Sequence, residues 1–138
     1  MRQIFIRLLP LICFISVPAL SVRAETIYAV AVVSSSGVYS DSLISFDSAT
    51  PNIINTEVAV TGLIHSVPYN QDLLDGIDIR PSNGLLYGLD GHGNIYTINT
   101  LTGAATPLLS YPQLFASSYM SFNPVNGLLR VFTERRQL

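Results

Sequence analysis

The chain has 138 residues, 49% hydrophobic and 12% charged, with seven basic residues, all arginine, against nine acidic ones. Past residue 24 only Arg80, Arg130, Arg135 and Arg136 remain against all nine acids, a net charge of −5, which excludes nucleic acid and anionic membrane surfaces as partners because both need clustered cations. The one cysteine, Cys13, falls in the apolar leader, so the chain beyond it has no thiol for a disulfide, a nucleophile or a metal site.

The first predicted element is that leader. Arg2 and Arg7 precede an apolar run from Leu8 to Leu20, broken by Pro10, Ser16 and Pro18, and Val22-Arg23-Ala24 supplies a cleavage site. Residues 1–24 therefore read as a secretory signal peptide and residues 25–138 as one exported domain, periplasmic or extracellular. The run is shorter than the roughly 20 residues that span a bilayer, so no membrane span is expected after cleavage.

From there strand-like runs alternate with turn clusters. Ile27 to Val33 is almost continuously apolar, as in a strand buried on both faces. Leu43 to Asp47 and Thr56 to Thr61 follow, the latter with Val58 and Val60 on one face. Residues 65–75 form a long irregular crossover. Gly76 to Arg80, Leu85 to Leu89, Ile95 to Asn99 and Ala104 to Leu109 then predict a four-stranded antiparallel sheet. Its turns are Pro81-Ser82-Asn83-Gly84, Asp90 to Asn94 and Thr100 to Gly103. Tyr87 and Tyr96, on neighbouring strands, are expected to pack across the sheet.

One phrase occurs twice. Pro81-Ser82-Asn83-Gly84-Leu85-Leu86 returns as Pro124-Val125-Asn126-Gly127-Leu128-Leu129, an offset of 43 residues, and Ile77/Met120, Ile79/Phe122 and Leu89/Phe132 keep the same spacing. A period near 40–45 residues built of short strands marks β-propeller blades. The expected fold is thus all-β, with antiparallel β-propeller-like blades, and at 43 residues per blade the 114 residues past the leader make about 2.6 blades. That count predicts an incomplete propeller, shortened from a longer form, with an unpaired edge at Leu128 to Phe132 through which chains can self-associate.

At these residues a resemblance enters. Gly76 to Leu89, Ile95 to Asn99, Thr102 to Thr106, Ser121 to Arg130 and the earlier Leu43 to Pro51 resemble the bacterial exported family called domain of unknown function 4394, over residues 27–132. The resemblance implies a secreted, all-β, propeller-like protein. It brings no activity and no catalytic residues, and family members continue for several more blades.

Candidate chemistry is sparse. Asp90-Gly91-His92-Gly93-Asn94 places the Asp90 and Asn94 oxygens on a glycine-rich loop that can hold calcium, or that is simply a hairpin turn. Asp72, Asp75 and Asp78 are spaced by three; the first two read as solvated, while Asp78, inside a strand, either lines a channel or pairs with Arg80. Tyr69 in the long crossover is the aromatic best placed for a ligand contact. His65 and His92 complete no catalytic motif, and G-x-S-x-G is absent. The expected function is a secreted, non-enzymatic binding or scaffold module without a cofactor. The alternatives are a shortened gene product with no function of its own, or an exported propeller enzyme such as a lyase or hydrolase.

Overall fold

The structure is a computed structural model that describes residues 24–64, 73–111 and 118–133. Residues 1–23, all but the last of the expected signal peptide at 1–24, lie outside the described residues, as do Tyr69, His65 and Asp72. All regular elements among the described residues are strands: β1 (Thr26–Ser35), β2 (Val38–Asp47), β3 (Ile54–Ala59), β4 (Leu74–Ile79), β5 (Leu86–Asp90), β6 (Asn94–Ile98), β7 (Ala105–Ser110), β8 (Ser118–Phe122) and β9 (Leu129–Thr133). They form three antiparallel sheets in chain order, β1-β2-β3, β4-β5-β6-β7 and β8-β9.

The three sheets stack face to face, and the middle one is buried on both sides. Alternation along its strands decides this. Leu86 on β5 and Tyr96 and Ile98 on β6 face the first sheet and meet Leu43, with Tyr28, Val30 and Val58 around them. Tyr87 and Leu89 on β5 and Ile95 on β6 point the opposite way and meet Met120 and Phe122 of β8, flanked by Leu129 and Val131. Every residue of β5 is buried in consequence. Tyr87 and Tyr96 therefore lie on opposite faces of the sheet and do not pack together, contrary to the sequence expectation. Neighbouring strands pair Tyr87 with Thr97 and Gly88 with Tyr96, so the two rings differ by one step of the pleat.

The first sheet differs from its sequence reading in two ways. The β1–β2 turn is only Ser36-Gly37, at φ of 52° and 81°, so β2 starts at Val38 rather than near Leu43. Two consecutive positive φ values give the primed hairpin turn whose twist matches the strands. β1 is also an edge strand, and Ile27, Val32 and Val33 are exposed where full burial was expected.

The repeated phrase builds the same turn twice, at one end of the sheets. Gly84 N–H donates to the Arg80 carbonyl (2.9 Å) and Gly127 N–H to the Asn123 carbonyl (2.8 Å). The Asn83 side chain accepts from Leu85 N–H and the Asn126 side chain from Leu128 N–H, both at 3.1 Å. Gly84 and Gly127 sit at φ of 68° and 66°, which is why glycine closes both turns.

Candidate functional site

Three buried or half-buried carboxylates organise the interior, and each is used by backbone amides. Asp90 ends β5 and is fully buried. Its Oδ1 accepts from the N–H groups of His92 (2.9 Å) and Asn94 (2.8 Å), and its Oδ2 from Asn94 Nδ2 (2.8 Å) and the Tyr96 hydroxyl (2.7 Å). The Tyr96 oxygen in turn accepts from Ile64 N–H at 3.1 Å, so the hairpin is tied to the segment that follows β3. Burial pushes the Tyr96 phenol far above its ordinary range, and the Asp90 carboxylate adds to the shift. Asp90 and Asn94, the sequence candidates for calcium, are thus brought together as acceptor and donor. Four donors aim positive ends at the Asp90 oxygens, and a cation entering there would have to displace them. Among the described residues no group of three or more His, Cys, Asp or Glu is arranged to hold a metal.

The other two carboxylates hook one sheet to the next. Asp41 on β2 accepts from Leu74 N–H, the first residue of β4, at 2.6 Å. Asp78 on β4 accepts from Phe122 N–H on β8 at 2.6 Å and from its own neighbour Ile79 at 2.8 Å. Both Asp78 oxygens are thus engaged by backbone amides, and among the described residues no ion pair with Arg80 is formed. The Asp41 Oδ1 is buried without a hydrogen-bond partner. Burial raises the Asp41 carboxyl above the usual carboxylate range; the Leu74 amide opposes this, and the nearby Asp75 charge reinforces it.

A cavity remains between the middle and third sheets, on the side of the Tyr87 face. It has a volume of about 280 Å³ and is lined by Arg80, Tyr87, Phe122, Ile95, Leu109 and Leu128, among others. The Tyr87 and Phe122 rings meet edge to face, 5.0 Å between centroids at 66°. The Arg80 guanidinium lies over the Phe122 ring at 5.8 Å. Asn83 Nδ2 donates to the Tyr87 oxygen at 3.1 Å, and this bond, together with one from Arg80, lowers the Tyr87 pKa below its ordinary value. Sequence reasoning missed this arrangement, because Arg80 reads there only as a strand-end cation beside Asp78. The available signal was the 43-residue repeat itself, which sets Phe122 one repeat after Ile79, next to Arg80.

With the geometry in place, the kinship of the chain can be stated. Residues 42–138 match the family described as Domain of unknown function (DUF4394). The chain belongs to DUF4394. Among curated proteins and among solved structures, nothing matches it significantly. The DUF4394 region begins inside β2 and takes in Asp78, Asp90 and the whole cavity lining, while Asp41 and β1 precede it.

Proposed function

We propose that this DUF4394 protein is an exported, non-enzymatic binding or scaffold module built from β-propeller-type blades, with no cofactor required. The observation that carries this reading is the repeat in three dimensions. Successive antiparallel sheets, the second of four strands, stack face to face in chain order and reuse one turn at a spacing of 43 residues. Face-to-face stacking of small antiparallel sheets is also how propeller blades bury their apolar faces, which supports the blade reading. The carboxylates that an acid–base enzyme would expose are here engaged with backbone amides, which supports architecture over catalysis. The open cavity beside Arg80 is the feature suited to binding.

Export is tested by expressing the 138-residue chain in a bacterial host, fractionating the cells and sequencing the N-terminus of the product. A processed chain beginning at Glu25 outside the cytoplasm is expected. An uncleaved chain confined to the cytoplasm would overturn the exported reading.

A further inference from the structure

We propose that the cavity between the middle and third sheets binds a small amphipathic carboxylate, its head on Arg80 and its apolar body along the leucines of β7 and β9. This rests on the binding-module reading above and names the ligand class of that site.

The lining divides by chemistry. Its polar side chains are Arg80 and Tyr87, which are near enough for Arg80 to act on the Tyr87 hydroxyl. The remainder is apolar, with Phe122 and Gly127 beside the aliphatic Ile95, Leu108, Leu109, Leu128 and Leu129. Leu108, Leu109 and Leu128 are 49, 56 and 64% exposed, a concentration of apolar surface against one recess. Small-molecule sites run upward from roughly 300 Å³, so a cavity of about 280 Å³ suits a short chain or a single ring rather than a folded partner.

The charge of the occupant follows from Arg80. It is one of two cations among the described residues, against seven acids. Its neighbour Asp78 is committed to the Ile79 and Phe122 amides, and the contacts the guanidinium makes are a phenol and a ring face. Its Nε is shielded from water and has no acceptor. A positive charge without a carboxylate partner among the described residues, set against apolar walls, attracts an anion more strongly than a solvated arginine does, because the local dielectric is low. A planar carboxylate matches the guanidinium in shape and sign. The aliphatic walls require that this carboxylate carry a hydrocarbon body.

The test is a titration of the purified chain with sodium octanoate and, as its uncharged match, octan-1-ol, followed by methyl chemical shifts of the leucines. Saturable one-site binding of octanoate is expected, with octan-1-ol at least tenfold weaker. Arg80→Gln should lower octanoate affinity at least tenfold and erase the preference over the alcohol. Leu109→Glu, at an exposed position, should weaken octanoate comparably with the circular dichroism unchanged. It decides the matter should the Arg80 variant fail to fold. Absence of saturable binding, equal binding of the alcohol, or an Arg80→Gln variant that binds as tightly would overturn the proposal. So would binding of a peptide of residues 94–110 in place of octanoate, which would make the recess a strand-docking edge beside β9. Those outcomes leave the binding-module reading standing. Chemical conversion of octanoate by the chain would instead sink the non-enzymatic reading.

Discussion

Replacing Tyr96 by Phe isolates the hydroxyl that joins the Asp90 hairpin to the first sheet. The ring is fully buried and packs among Leu43, Leu74, Leu86 and Ile98, and Phe keeps that packing. Two hydrogen bonds disappear, the 2.7 Å donation to Asp90 and the 3.1 Å acceptance from Ile64 N–H. A bond to a charged acceptor is worth about 1.5–3 kcal/mol, and a neutral one about 1 kcal/mol. The variant should therefore lose about 3 kcal/mol, a large part of the 5–15 kcal/mol typical of a domain. Urea unfolding followed by far-ultraviolet circular dichroism measures this as a drop in midpoint at constant slope. A loss below about 0.5 kcal/mol would mean that the Asp90 clasp does not stabilise the fold, and the structural account of that carboxylate would be wrong.

Three further outcomes are expected. The Asp41 carboxyl titrates above its unfolded value, so the folded state holds its proton more tightly and stability falls as pH rises from about 4 through the raised folded value. Asp41→Asn should flatten this slope in urea midpoints taken between pH 4 and 7, and an unchanged slope would remove Asp41 as its source. Gly103 at φ 73° has the Ala59 carbonyl oxygen where a Cβ would stand, whereas Gly127 at φ 66° faces near-open space. Gly127→Ala should cost only about 1–2 kcal/mol for its left-handed backbone and Gly103→Ala clearly more, and equal thermal shifts would refute the close approach. Asp78→Ala removes the hook on Phe122 N–H, worth about 1.5–3 kcal/mol, and should raise amide exchange in β8 and β9 while β5 and β6 stay protected.

The sequence carried the strand alternation and the turns because both are local. Asn83 and Asn126 close turns within three residues of themselves, and the spacing of Pro, Asn and Gly announces that. The pleat sends Ile95 and Tyr96 to opposite faces, but only the pairing register decides that Tyr87 sides with Ile95, so the expected Tyr87–Tyr96 contact was not legible as wrong. The carboxylates were not legible either. Asp90 looks like a loop ligand in the sequence, because nothing local says that Tyr96, six residues on, will bring its hydroxyl back to it. The Asp41 and Asp78 bonds span 33 and 44 residues, so no window of the sequence contains both partners. Arg80 likewise acquires its setting from Phe122, and the cavity exists only once the third sheet is laid on the second.

The two inter-sheet hooks share a direction. In each the acceptor belongs to the earlier sheet and the amide to the first strand of the later one, Asp41 to Leu74 and Asp78 to Phe122. A chain that emerges from its N-terminus has thus already presented each docking post before the strand that will grip it is made. Growth can proceed as ordered accretion, each sheet a template for its successor. Interrupting synthesis after either of the first two sheets would leave a carboxylate post with no amide to grip it.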